Sequence, residues 1–469
     1  MVFSSPIFLF YFLPCVLILY FLSSKSIYIQ NVILFISSLV FYFWGEKEYV
    51  VLVMFSIMLN YFLGIWISGS QSSRFQLIIL GAGVFINLSM LIYFKYYNFI
   101  INDFLSAFTA VQPIKPENEV HLPLGISFFT FHGLTYITDI YRKEAEVSRN
   151  PLNVGLYILF FPQLIAGPIV RYKDIDQQLQ SRILSNEKLM LGIRRFIIGL
   201  AKKILIANTL GKIADDIYML EPKDVSGSLS WLAITCYTLQ IYFDFSGYSD
   251  MAIGLARMFG FDFLENFHFP YAARSIKEFW RRWHISLSTF FRDYVYKPLG
   301  GNRSGIARTY FNLMLVFFLT GLWHGASWNF IIWGLFHGLF LVIERLGFDK
   351  LLDRLPSFIA HLYTLLIVMV GWVFFRIEDM GMAGYYLQKM FFLHTADSGV
   401  YSLAYYLRSN VVLTLIAGFV FAFPIHVFGL NQFSVKESIW YDVVYFSLFI
   451  LCLFVLSATT YNPFIYYRF

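Results

Sequence analysis

The chain has 469 residues, of which 58% are hydrophobic and 14% charged, with a formal net charge of +6 and a mean hydropathy of +0.63. Soluble globular domains run at about 45–50% apolar and about 25% charged, so a water-soluble core is excluded and an all-α polytopic membrane protein is the expected class. Cys15, Cys236 and Cys452 lie in or near apolar blocks without C-x-x-C spacing, which supports neither a disulfide framework nor a thiolate zinc site; no nucleic-acid partner is expected.

Apolar blocks at 7–22, 32–43, 50–67, 75–93, 231–243, 311–323, 330–343, 359–375, 411–423 and 444–458 approach or reach the length that crosses hydrocarbon as a helix. With flanking aromatics extending the shorter blocks, about eleven spans are expected. The first block opens MVFSSPIFLFYF without a basic leader and is followed by further spans, so it reads as a retained helix rather than a cleavable signal. Residues 1–101 read as an N-terminal helical bundle with the short links SSKS, GEKE and SGSQSSR, and 102–119 as a polar loop on one membrane face.

Between 122 and 170 the apolar pattern is broken by Pro162, Gln163, Gly167 and Pro168. Broken backbone in hydrocarbon is tolerated only where protein or an aqueous cavity satisfies it, so this stretch is expected inside the bundle, as a channel lining or as a kinked structural helix. Residues 179–219 space Arg182, Lys188, Arg194, Arg195, Lys202, Lys203 and Lys212 among apolar positions, the pattern of an amphipathic interfacial helix followed by a short buried one. Segment 271–308 carries eight Lys or Arg against Glu278 and Asp293, which the positive-inside rule assigns to the cytoplasmic side. Its interleaved Phe279, Trp280, Trp283, Phe290, Phe291 and Tyr294 hold it against the bilayer. Residues 122–343 form the expected catalytic core region and 344–469 the C-terminal helices of one integral-membrane domain.

The run FFLTGLWHGASWNFIIWGLFHG, 317–338, places His324 and His337 among aliphatic, aromatic and small residues. A straight helix begun at Arg308 would carry His324 about 24 Å into a core about 30 Å thick. An ionisable group at such depth points to function by default: a neutral imidazole takes a proton from a hydroxyl and returns it, as a general base. The alternative is a satisfied packing histidine. His337, thirteen residues on, would face the opposite side of a continuous helix, and no acid lies between 317 and 338, so no metal site is expected. His284, forty residues before His324, meets it only if the basic segment folds back into the bundle; otherwise it packs at the interface. Asp244 and Asp250 in IYFDFSGYSDMAIGLAR need partners or water, and could balance the cations of WRRWH, line a tunnel or order the site.

Three ordered segments, QIYFDFSGYSDMAIG, PYAARSIKEFWRRWHISLSTFFRDYVYKPLGG and FFLTGLWHGASWNFIIWGLFHG, resemble the membrane-bound O-acyltransferase family, and most of all its bacterial alginate O-acetyltransferase branch. The opening MVFSSPIFLFYFLP and the broken HLPLGISFFTFHGLTYITDIYR extend the resemblance over most of the chain. It implies a ring of about eleven transmembrane helices around re-entrant and amphipathic helices, with a central tunnel between the membrane faces. It implies His324 as the essential histidine and His284 as a second participant. His337, Asn329, Trp323, Asp244 and Asp250 become tunnel-lining or supporting residues, Asn329, Trp323 or a backbone amide being candidate oxyanion donors, and Arg281, Arg282, Arg292 and Lys297 a donor-side basic surface.

No permanently bound cofactor follows from the resemblance. The implied co-substrate is an acyl thioester, acetyl-CoA or an acyl carrier, entering from the cytoplasm. The implied acceptor is an exported polysaccharide, alginate, peptidoglycan or another polymer, reached directly or through an extracytoplasmic serine-dependent acetyltransferase partner at the bacterial inner membrane. Two other readings stand beside it. One is D-alanyl transfer from a carrier protein toward teichoic acid, for which 271–308 could dock an acidic carrier. The other is a transporter or lipid flippase, which shares broken helices and intramembrane charge.

Overall fold

The computed structural model describes residues 1–106, 109, 114–392, 401–424, 439–459 and 461–463. The chain divides into two compact units, Met1–Phe196 with Ser249–Leu264, and Ile197–Tyr248 with Glu265–Phe469. In chain order, leaving aside the short turns Phe161–Leu164, Asp176–Gln180 and Leu403–Tyr406, the helices are α1 (Phe8–Leu22), α2 (Ile27–Gly45), α3 (Val50–Gly69), α4 (Ser73–Leu105), α5 (Ile126–Tyr141), α6 (Pro151–Leu159), α7 (Asn186–Ala201), α8 (Asn208–Tyr218) and α9 (Gly227–Met258). They continue with α10 (Ile276–Arg282), α11 (Ile285–Phe291), α12 (Ile306–His324), α13 (Trp328–Ile343), α14 (Asp349–Leu352), α15 (Ser357–Arg376), α16 (Met380–Phe391), α17 (Ser409–Ala422) and α18 (Ile439–Ala458).

Seven helices among the described residues, α2, α3, α4, α12, α13 together with its continuation through α14 to Leu352, α15 and α18, are long and apolar enough to cross a membrane, and α1 and α17 are shorter apolar helices. Large apolar side chains on them face outward: Phe358 is 73% and Trp440 75% exposed. Contiguous apolar surface of this kind is a liability in water and the natural surface in lipid. The span expected at 231–243 is different in kind. It is the middle of the 32-residue α9, whose residues there are almost all buried by protein, the situation of a central helix rather than a lipid-facing one.

In the first unit, α5 packs against α3 and α4. Asn60 and Asn87 exchange side-chain amide bonds of 3.1 and 3.0 Å between α3 and α4, each also donating to a carbonyl one turn back. A polar pair inside apolar helices holds their register because each amide satisfies the other. The broken stretch after α6 is buried and its freed backbone is met by protein: the Phe161 N–H donates to Ser38 Oγ at 3.1 Å, Gln163 donates to the Tyr157 carbonyl, and the Tyr157 hydroxyl donates to the Val170 carbonyl at 2.9 Å. His132 of α5 is also buried, with Nδ1 3.3 Å from the Ile158 carbonyl.

The basic segment 179–219 carries helices α7 and α8, and most of its cations, Arg182, Lys188, Arg194, Lys202 and Lys212, are not buried. Two of its cations turn inward. In the first unit Arg195 meets Asp250 at 2.8 Å, and in the second Lys203 meets Asp244 at 2.6 Å, all four side chains being buried. Apolar surroundings make an unpaired charge far more costly than a paired one, so the aspartates of α9 dictate where these cations go.

Candidate active site

The site residues His284, His324 and His337 belong to the second unit. Helix α12 ends at His324 because Gly325 and Ser327 are extended, at φ −170° and −160°, and α13 starts afresh at Trp328. The two histidines therefore sit on two antiparallel helices, and the opposed-face geometry of one continuous helix does not apply. The hairpin closes through glycine: a Cβ on Gly321 would lie 2.3 Å from the Phe330 carbonyl oxygen, and one on Gly334 would lie 2.2 Å from that of Phe317. Such backbone approach is what small residues four apart permit. Each histidine precedes the second glycine of such a pair, Gly321-Leu-Trp-His324-Gly325 and Gly334-Leu-Phe-His337-Gly338.

Trp333 stands between the two imidazoles. Its centroid is 4.9 Å from that of His324 and 5.3 Å from that of His337, edge-on to both. His337 is fully buried among Phe279, Trp280 and Trp333, and neither ring nitrogen has a hydrogen-bond partner among the described residues. It lies one aromatic ring away from His324.

His284 reaches His324 from the basic segment. The Ser275 side chain caps α10 by accepting the Glu278 N–H at 3.0 Å, and the chain then breaks at Trp283, extended, and His284, at φ +44° and ψ +55°. A left-handed non-glycine residue costs about 1–3 kcal/mol unless its surroundings impose it. Asn266 imposes it here. Its backbone carbonyl accepts the Ile285 N–H at 2.9 Å, and its Oδ1 accepts the Ser286 N–H at 3.2 Å and the Ser286 hydroxyl at 2.8 Å. The same Oδ1 lies 3.2 Å from His284 Nδ1. A backbone N–H only donates, so this amide atom is oxygen, and Nδ1 of His284 must carry the proton. That leaves Nε2 as a lone-pair acceptor, buried and without a hydrogen-bond partner among the described residues. Burial pulls His284 from its ordinary value down to about 3, which keeps the ring neutral.

The centroids of His284 and His324 are 6.4 Å apart. Trp323 touches both, at 5.7 and 4.9 Å, Phe375 flanks His324 at 5.1 Å, and Phe245 of α9 stands perpendicular to His284 at 4.6 Å. The basic segment does fold back to meet the end of α12, and the meeting point is a nearly dry aromatic enclosure in which His324 is 3% exposed. Two imidazoles in such a place can pass a proton to and from a small hydroxyl with little competition from water.

The other expected residues fall at varying removes. Asn329, at the start of α13, donates to the Phe374 carbonyl at 3.2 Å and accepts from the Ser327 hydroxyl. Asp244 and Asp250 are held by Lys203 and Arg195, not by WRRWH, where Arg282 pairs with Glu278 at 2.7 Å. Arg292 and Lys297 share Asp293, at 3.1 and 2.7 Å, while Arg281 makes no ion pair among the described residues. No group of three or more His, Cys, Asp or Glu among the described residues is placed to hold a metal ion. Sequence reasoning missed Asn266, Ser286, Trp333, Phe245 and Phe375. The repeated G-x-x-H-G was a usable signal for the hairpin, whereas Asn266 in ENFHFP carries no local pattern.

A family model described as membrane-bound O-acyltransferase matches residues 120–351, the stretch that holds His284, His324 and His337. The chain is 40% identical, over 498 aligned residues covering all of both chains, to the probable alginate O-acetylase AlgI of Pseudomonas putida. It is 42% identical to the protein of the same name from Azotobacter vinelandii, covering 92% of this chain and 86% of that one. The peptidoglycan O-acetyltransferase of Helicobacter pylori is 37% identical over 81% of this chain and 78% of its own. The chain belongs to the membrane-bound O-acyltransferase family and is a multi-pass membrane acyltransferase.

Proposed function

We propose that this protein is an O-acetyltransferase of the bacterial inner membrane that takes acetyl from a cytoplasmic thioester, acetyl-CoA or an acyl carrier, and delivers it for O-acetylation of an exported polysaccharide. The observation that carries the reading is the convergence of His284 and His324 in one buried enclosure. The names of relatives that match the whole length of the chain support acetyl and polysaccharide as the acyl group and acceptor.

In this reading residues 122–343 form the catalytic core of a ring of about eleven membrane helices with a tunnel at its centre, and segment 271–308 faces the cytoplasm. The acceptor hydroxyl enters from the other face. His324 takes its proton as the oxygen attacks the thioester carbonyl, forming the C–O bond; the tetrahedral intermediate then expels the thiolate, and the proton returns to sulfur. Nε2 of His284, its tautomer set by Asn266, holds the hydroxyl in line or shares the proton. Trp323, Asn329 or a backbone N–H donates to the developing oxyanion, which a dry site stabilises more than water does. Arg281, with Arg282, Arg292 and Lys297, forms the surface that meets the donor. The acyl group passes to the polymer directly or through the serine of an extracytoplasmic acetyltransferase partner.

The test is incorporation of label from acetyl-labelled donor by membranes containing the protein, with the product mass determined. An acetyl increment on polymer or on a partner serine supports the reading. A D-alanyl increment, or movement of a lipid or solute without covalent turnover, replaces it.

A further inference from the structure

A second polar site lies in the second unit, at the link between the membrane-length helices α13 and α15. The start of α10 there faces α14 and the start of α15 across an open cleft of about 440 Å³, a volume typical of small-ligand pockets. One side supplies Arg274, Lys277 and Arg281, and the other Asp349, Asp353 and Ser357. The first side is rigidly held, because the buried carboxylate of Glu344, at the end of α13, accepts the N–H groups of Ile276 and Lys277 at 2.6 and 3.0 Å. Glu278 also lines the cleft, its Oε1 held by Arg282 and its Oε2 accepting the Arg274 N–H at 2.8 Å.

None of Arg274, Lys277, Arg281, Asp349 and Asp353 makes an ion pair within 4.0 Å among the described residues. Opposite charges thus face one space without closing across it. That arrangement suits a ligand carrying an anion and a cation together, the anion on guanidinium and ammonium donors and the cation on carboxylates. No aromatic side chain lines the cleft, so the cage that selects a quaternary ammonium is missing, whereas a primary ammonium offers three N–H donors to the aspartates. Leu351 and Phe358, chain neighbours of the lining residues Leu352 and Ser357, are exposed, as is Leu362 further along α15, and apolar surface next to a polar headgroup site is where acyl chains lie.

We propose that this cleft binds a phosphoethanolamine-bearing membrane lipid. Its phosphate sits on Arg274, Lys277 and Arg281, its ammonium on Asp349 and Asp353, and its chains run over Phe358 and Leu362. Arg281 is shared with the donor-side surface proposed above, so the test reads lipid rather than turnover and changes only residues outside that surface.

The full chain, reconstituted in nanodiscs of phosphatidylcholine doped with equal small amounts of phosphatidylethanolamine and phosphatidylglycerol, is washed in detergent, and the retained lipid is quantified by mass spectrometry. Phosphatidylethanolamine should be enriched over both competitors by about tenfold, the factor carried by one charge-assisted contact. Asp349→Asn/Asp353→Asn should abolish the preference over phosphatidylglycerol, and Lys277→Gln should weaken retention of both phospholipids. If the double variant does not fold, Asp353→Asn alone, at an exposed position, reads the same loss in part. Equal retention of phosphatidylcholine, or phosphatidylethanolamine retention untouched by the aspartate changes, overturns the proposal. So does tight binding of free O-phosphoethanolamine in lipid-free detergent, which would identify a soluble phosphate ester as the ligand.

Discussion

His284 and His324 face each other with ring centroids 6.4 Å apart and planes 63° from parallel, one on a left-handed break between two short helices and the other at the end of α12. A strained residue that puts a buried lone pair in the same enclosure as a second imidazole is a costly arrangement for packing alone. His284→Ala is expected to lower turnover about 100- to 10,000-fold, the range of one general acid–base group. The KM for the donor should move little. Initial rates at saturating and limiting donor separate the two, and wild-type turnover in a folded variant would reduce His284 to a packing residue.

Asn266 acts through His284. Asn266→Ala removes the acceptor that fixes Nδ1–H, and the expected cost is about tenfold in turnover, equivalent to one hydrogen bond. Asn266→Asp keeps an oxygen in place and should recover most of the activity. A purely structural role would instead give both variants the same loss, scaling with the drop in melting temperature.

The buried His284 also makes stability depend on pH. Its folded value is lowered to about 3 from an ordinary 6.5, so below pH 6.5 the unfolded chain binds a proton that the folded chain refuses. Its contribution is complete above pH 6.5 and is lost as pH falls from 6.5 toward 3, at about 1.4 kcal/mol per unit. His284→Gln removes this dependence. The melting-temperature gap between wild type and variant, measured in detergent, should narrow from pH 7.5 to pH 5; a constant gap would contradict the burial argument.

The Lys203–Asp244 pair, at 2.6 Å and almost completely buried, is best tested by a double-variant cycle. Lys203→Met or Asp244→Leu alone leaves an uncompensated charge and should cost about 3–5 kcal/mol. The double variant should be more stable than either single one. Thermal denaturation of all four proteins decides it, and additive losses would mean that the two charges do not depend on each other.

Much of this was legible in the sequence, in a particular way. The excess of apolar residues and the broken stretch around Pro162 foretold a helical membrane protein with irregular backbone inside it, because hydrocarbon leaves few options for either. The ordered motifs named His324 and His284, and the need for the basic segment to fold back followed from wanting them together. What was not legible depended on pairings between elements. The sequence leaves the partners of Asp244 and Asp250 open, WRRWH being one candidate, and they are Lys203 and Arg195, since nothing in local spacing says which helices will lie antiparallel. The opposed faces expected of His324 and His337 held only for an unbroken helix, and the chain breaks within GASWN, where Gly325 and Ser327 end one helix and begin another. Asn266 was invisible for the same reason: its importance lies in three donors that converge on one oxygen, the His284 ring eighteen residues away and the backbone N–H and hydroxyl of Ser286 twenty away.

The most direct measurement is transfer of labelled acetyl from a thioester donor by membranes containing wild type or His324→Ala, with folding of the variant verified by its melting temperature and monodispersity. Loss of covalent acetyl transfer to near background in a folded His324→Ala protein is the predicted result. Wild-type transfer by that protein would contradict the assignment of His324 as the catalytic base.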